Sequence, residues 1–172
     1  MKRLILACAL IASGAGLGGC ATVLNGVHQG MPFQSDPTGA TIRLAQGGTC
    51  TTPCEIEMRR GHDSLVTYTL DGYEPAQVYI QSRLGGAVAG NILAGGIIGG
   101  IVDGSNGASN RLHPNPVYVR LVPVGSGREA ELLDANGQVI STVSVHNASV
   151  EADVREGLQR QGLAPAAGAS QP

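Results

Sequence analysis

The chain has 172 residues, of which 14% are charged and 3% are aromatic, and its formal net charge is −2. A typical domain has about 25% charged residues, so this chain lacks the strongly basic surface that nucleic-acid binding needs. Because tryptophan is absent and aromatic rings are few, stacking platforms for bases or sugars are also disfavoured.

The first nineteen residues have the layout of an export signal. Lys2 and Arg3 precede an apolar run, residues 4–12, and small residues follow up to Gly19. The apolar run is too short to span a bilayer core of about 30 Å. We therefore expect residues 1–19 to be removed.

The sequence Leu17-Gly18-Gly19-Cys20 resembles the lipobox of bacterial lipoproteins. The resemblance implies that Cys20 is lipidated and begins the mature chain, and several acyl chains would anchor it stably. Ala21 is uncharged, which in Gram-negative lipoproteins implies sorting to the outer membrane, here facing the periplasm. The alternative is an ordinary signal peptide with a coincidental cysteine. Residues 20–30 would be a tether.

Residues 31–82 contain short alternating runs separated by turn residues, a pattern typical of antiparallel strands with one buried face. The predicted strands cover residues 40–44, 55–58, 64–70 and 76–80. The sequence therefore predicts a mainly β fold, beginning with a small antiparallel unit.

Of the four cysteines, Cys8 lies in the signal and Cys20 would carry lipid, which leaves Cys50 and Cys54. Because an exported chain meets an oxidising compartment, we expect a local disulfide bond between them. A metal site is the alternative, but structural zinc needs four ligands. A thioredoxin-like motif has two residues between its cysteines, whereas this pair has three.

Four short motifs share the order and spacing of a known domain family: Ser35-Asp36-Pro37-Thr38-Gly39-Ala40, Thr52-Pro53-Cys54, Arg60-Gly61-His62 and Asp71-Gly72-Tyr73-Glu74-Pro75. Together they resemble the PEGA-type domain of bacterial surfaces, over roughly residues 33–82. The resemblance implies a β-sandwich without catalytic residues. In it, Gly39 and Gly72 would occupy turns that need positive φ.

Residues 84–102 form an uncharged, apolar and glycine-rich insert. Small residues recur four apart, a spacing that lets helices approach closely in lipid; they are Gly86, Gly90 and Ala94, then Gly96 and Gly100. Similar glycine-zipper segments occur in outer-membrane lipoproteins. The resemblance implies an inserted helix or helical hairpin that contacts a membrane or another subunit.

As one straight helix the insert would be roughly 28 Å long, enough to cross a bilayer. Residues 117–121 alternate like a strand, however, and if they return to the sandwich both ends of the insert lie on one side. A single crossing would then be excluded. A hairpin in one leaflet, a helix on the membrane, an element packed on protein and a flexible loop all stay open.

The last part of the chain predicts a hairpin and a short helix. Residues 129–133 and 138–143 flank a turn that ends in Gly137. A helix over residues 147–161 is predicted with Asn147 or Ser149 as its N-cap, and Val150, Val154 and Leu158 would form its buried face. Residues 162–172 lack the bulk to pack, so we expect a disordered tail.

The four histidines are scattered, and no serine or cysteine lies in a nucleophile motif. We therefore expect no enzymatic activity and no cofactor or metal. The expected function is that of a lipid-anchored envelope lipoprotein with a structural or binding role, whose partners are the membrane and a second copy or an envelope protein. Alternatives are an accessory subunit of an envelope secretion or transport assembly and, third, an envelope-polymer-processing enzyme. The expected segments are the signal (1–19), the tether (20–30), the PEGA-like β-domain (31–82), the insert with its linker (83–115), the returning strand and hairpin (116–146), the short helix (147–161) and the tail (162–172).

Overall fold

A computed structural model describes residues 26–85 and 109–163. These residues form strands β1 (His28–Asp36), β2 (Thr41–Leu44), β3 (Thr49–Thr51), β4 (Cys54–Arg59), β5 (Ser64–Thr69), β6 (Ala76–Leu84), β7 (Asn110–His113), β8 (Val117–Arg120), β9 (Glu131–Leu133) and β10 (Val139–Thr142), followed by helix α1 (Val143–Arg160).

The strands form two five-stranded sheets that lie face to face. The first sheet has the order β10-β9-β8-β1-β4, and the second has the order β3-β2-β5-β6-β7. This arrangement confirms the mainly β prediction and is consistent with a sandwich. One strand pair departs from the predicted antiparallel arrangement: β1 and β8 run parallel, from Phe33 beside Val117 to Asp36 beside Arg120. The two strands are far apart in the chain, so no tight hairpin forces them to be antiparallel.

The core lies between the two sheets, because alternate residues of each strand point inward. Tyr68 is fully buried there, and its hydroxyl donates a hydrogen bond to the Val117 carbonyl at 2.8 Å, which joins the sheets. Burial raises the pKa of Tyr68. Fully buried neighbours include Met31, Phe33, Ile42, Val66, Val78, Ile80 and Val119.

The four strands predicted within residues 31–82 correspond to β2, β4, β5 and β6. Strands β1, β3 and β7 were not predicted. β1 begins at His28, inside the range assigned to the tether, and β7 lies inside the range assigned to the insert and its linker. Gly39 and Gly72 have φ values of 93° and 81°, as their predicted turns require.

Helix α1 begins at Val143, before the predicted start at residue 147. Its N-cap is Thr142, whose hydroxyl accepts a hydrogen bond from the Val145 amide at 3.3 Å, so neither Asn147 nor Ser149 is the cap. The strand-like run of β-branched residues before the helix hid this start. The predicted buried face is confirmed, since Val150, Val154 and Leu158 pack with Leu65 and Tyr79 on the outer face of the second sheet.

Cys50 and Cys54 lie at disulfide distance, with their Cα atoms 6.4 Å apart. Cys50 lies in β3 and Cys54 begins β4. Because β3 and β4 are edge strands of different sheets, this pair joins the two sheets along one side of the sandwich. The prediction of a cysteine pair at this place is confirmed.

Candidate functional site

The candidate site is the end of the sandwich from which the glycine-rich insert leaves, here called the insert base. Strand β6 extends past β5, and its last four residues pair with β7, from Gln81 beside His113 to Leu84 beside Asn110. Beyond them the Gly85 amide donates a hydrogen bond to the Ser109 carbonyl at 2.9 Å. Gly85 and Ser109, between which residues 86–108 lie, are therefore neighbours on one ladder.

A hydrogen-bonded network connects the insert base to the point where the chain enters β1. The Arg60 amide donates to the Val27 carbonyl at 2.9 Å, and the Ser82 hydroxyl donates to the Arg60 carbonyl at 2.6 Å. The Asn110 side-chain amide in turn donates to the Ser82 hydroxyl at 2.7 Å. Val27, just before β1, and the pair Gly85 and Ser109 thus lie at the same end of the sandwich.

Arg60 places a positive charge inside this end. Its side chain is 8% exposed, and its Nε donates to the His28 carbonyl at 2.9 Å. Its Nη1 atom is buried and has no hydrogen-bond partner among the residues that the structure describes. Burial and the nearby Arg111 guanidinium lower the pKa of Arg60, so positive charges are crowded together here.

Two more arginines face each other at the insert base. Arg83 of β6 lies directly opposite Arg111 of β7 in the strand register, and both residues are exposed. Like charges at opposed positions of an antiparallel pair repel each other. The Arg83 Nε donates to the Gln81 side chain, and burial together with Arg83 lowers the pKa of His113.

Asp63 is the buried acid of this region. Its carboxylate accepts a hydrogen bond from the Ser82 amide at 2.8 Å, and its residue is 8% exposed. Gly157 of α1 packs against this carboxylate so closely that a Cβ atom there would collide with it. The C-terminal half of α1 therefore packs against the insert base through the contact between Gly157 and Asp63.

The opposite end of the sandwich carries acidic side chains. Arg120 there pairs with Asp36 and with Glu131, both at 2.9 Å, and these contacts raise the pKa of Arg120. The Glu74 carboxylate accepts from the Gly125 amide at 3.1 Å. The arginine of this end is thus neutralised by its neighbours, unlike those of the insert base.

The sequence-predicted site residues are only partly within the described ranges. Cys50 and Cys54 lie on the side of the sandwich and do not contribute to the insert base. Cys20 and the small residues of the insert lie outside the described residues; the latter are Gly86, Gly90, Ala94, Gly96 and Gly100. The signal segment and most of the predicted tail also lie outside them.

The polar network of the insert base was missed by sequence reasoning. The available signal was the position of Arg83 and Arg111 on either side of the apolar insert, together with the run Arg59-Arg60 before a turn. His146, one of the scattered histidines, lies in α1 and bonds through Nε2 to the Tyr79 carbonyl at 2.8 Å.

Within residues 26–85 and 109–163, no group of three or more histidine, cysteine or acidic side chains is arranged to hold a metal ion. No helix in the same ranges has the length and apolar character to cross a membrane. Comparison of the chain with protein-family models, with curated proteins and with solved structures found no match.

Proposed function

We propose that this chain is a non-catalytic lipoprotein of the cell envelope, and that lipid on Cys20 holds its β-sandwich beside a membrane. The insert, residues 84–102, would add membrane contact or self-association. The PEGA-like sandwich would serve as a structural or binding domain facing the periplasm from the outer membrane.

One observation carries this proposal: the chain enters β1 at the same end of the sandwich at which Gly85 and Ser109 pair. A domain tethered by its N-terminus holds the entry point of β1 nearest to the bilayer. The insert base is joined to that entry point through Arg60 and Ser82, so an apolar segment leaving Gly85 would start close to the same bilayer. This geometry suits two membrane elements working together.

A test is to express the full chain in a Gram-negative host as wild type, Cys20→Ala, a deletion of residues 86–108, and the combination. Mass spectrometry of the mature N-terminus and membrane fractionation are the measurements. We expect an acylated Cys20 in the wild type, partial membrane retention of Cys20→Ala, and full release only of the combined variant. A mature N-terminus without acyl chains would contradict the lipoprotein assignment.

Full release of Cys20→Ala alone would instead leave lipid as the sole anchor and restrict the insert to packing or assembly. The fractionation therefore separates the two roles proposed for the insert. The deletion variant with Cys20 intact is the matched control, because it should remain in the membrane pool whichever role the insert has.

The second candidate function is that of an accessory subunit in an envelope secretion or transport assembly. It is favoured by exposed apolar side chains on and after edge strand β10, where Val139, Ile140 and Val145 are 50%, 58% and 63% exposed. Apolar side chains beside an open strand edge suit a protein partner. Affinity capture with the insert present and deleted tests it, because loss of one defined partner on deletion would support the assembly role.

A further inference from the structure

We propose that the exposed arginines of the insert base, Arg59, Arg83 and Arg111, form a collar that docks the sandwich on the headgroups of anionic phospholipids. This inference rests on the proposed membrane anchorage and adds a further contact, made by the folded sandwich itself. The partner is a lipid surface that carries phosphatidylglycerol or a similar anionic headgroup.

The first support is that no ion pair among the described residues neutralises the collar. Among the described residues, the ion pairs involve Arg120 and Arg155, and none involves a collar arginine. Glu57 lies on β4 together with Arg59, and Glu156 lies on α1, yet neither forms an ion pair with the collar. Positive charge at this end is therefore available to an external anion.

The second support is the opposition of Arg83 and Arg111 across the β6–β7 ladder. An arrangement of like charges on paired strands is unfavourable when the protein is alone, and the buried Arg60 adds a third positive charge near Arg111. Phosphate groups between the guanidinium groups would relieve this repulsion, because arginine pairs with phosphate through two parallel hydrogen bonds.

The third support is position. Arg59 is paired with His28 at the start of β1. Arg83 and Arg111 each lie two residues from the Gly85–Ser109 pair that precedes and follows residues 86–108. Leu84, next to Arg83, is 48% exposed. Basic side chains beside an exposed apolar one are the composition that favours the interface between headgroups and acyl chains.

The test uses the full mature chain with Cys20→Ala, so that acyl chains do not dominate binding. Sedimentation with vesicles of phosphatidylcholine, with and without roughly one-quarter phosphatidylglycerol, measures the partition coefficient. We expect phosphatidylglycerol to strengthen binding and salt to weaken it. Each arginine near an anionic surface contributes about five-fold, so Arg59→Gln/Arg83→Gln/Arg111→Gln should lose about a hundred-fold.

The matched control is Arg43→Gln/Arg128→Gln/Arg155→Gln, which removes the same charge from exposed positions elsewhere and should change binding by less than about three-fold. Arg59→Lys/Arg83→Lys/Arg111→Lys keeps the charge and should retain most of the binding, which separates charge loss from misfolding.

Equal losses in the collar and control variants would overturn the proposal. So would binding that depends on neither phosphatidylglycerol nor the collar. Because no variant here carries lipid on residue 20, these outcomes are independent of whether Cys20 is acylated in the cell.

Discussion

Asp63 shows how a single residue of the insert base affects the stability of the fold. Burial raises the pKa of its carboxyl, while the hydrogen bond from the Ser82 amide and the Arg160 guanidinium lower it in part. A carboxyl whose pKa is raised by folding disfavours the folded state once it is ionised, and this penalty is relieved as pH falls through the raised pKa towards the ordinary value. The charge of Asp63 is therefore unfavourable at neutral pH, whereas its hydrogen bond is favourable.

The variant Asp63→Asn separates these two effects, because the asparagine Oδ1 still accepts from the Ser82 amide but carries no charge. We expect its advantage in unfolding free energy over the wild type to be greatest near about pH 7 and to shrink towards about pH 4. Urea unfolding across this range measures it. Asp63→Ala is the control: it loses the acceptor and should be less stable by about 1–3 kcal/mol. An Asp63→Asn advantage that grows on acidification would contradict this account.

At the scale of elements, helix α1 completes an open strand edge. β7 pairs only with the last residues of β6, so none of the described strands lies beside the backbone of residues 77–79 on that side. The side chain of Asn147 accepts from the Tyr79 amide at 3.0 Å and donates to the Gln77 carbonyl at 2.7 Å. One amide side chain thus replaces the hydrogen bonds of a missing strand.

Replacing Asn147 with alanine should leave two backbone groups of β6 without their partner. We expect Asn147→Ala to lower the free energy of unfolding by about 1–3 kcal/mol, measured by urea titration. Ser149→Ala is the matched control, since Ser149 bonds only to the His146 carbonyl within the helix and should change stability by about 0.5 kcal/mol or less. Equal effects of the two substitutions would refute the role of Asn147 as a strand substitute.

The strands that the sequence predicts well are those in which apolar and polar residues alternate over a short run. In β5, Val66 and Tyr68 point into the core, and their spacing identifies the strand. β1 was missed because its inward positions include the polar Gln29 and Ser35 and because Pro32 argues against a strand. The structure accommodates Pro32 since the pairing of β1 with β8 begins only at the next residue. β7 was missed because it has a single buried apolar residue, Leu112.

At the scale of the whole molecule, the candidate site depends on topology that no local pattern contains. The residues of the hydrogen-bonded network are far apart in the chain: Val27, Arg60, Ser82 and Asn110. They meet only because β1 and β7 begin where β4 and β6 end. The sequence predicted the apolar insert and, if residues 117–121 return to the sandwich, that both ends of the insert lie on one side of a membrane. It did not predict that the N-terminal segment leaves from the same end, since β1 itself was not recognised.

The sandwich should fold without the insert, because the ladder that carries it is already closed. With the Gly85 amide 2.9 Å from the Ser109 carbonyl, replacing residues 86–108 by Asn-Gly would give a two-residue hairpin. We expect the free energy of unfolding in urea to stay the same or to rise by up to about 2 kcal/mol, because a shorter loop loses less entropy on closure. A control that also removes residues 109–113 should be destabilised, since it deletes β7 and the buried Leu112. If the Asn-Gly variant fails to fold, the insert belongs to the core of the domain, and the proposed role of this segment at a membrane or partner surface loses its main support.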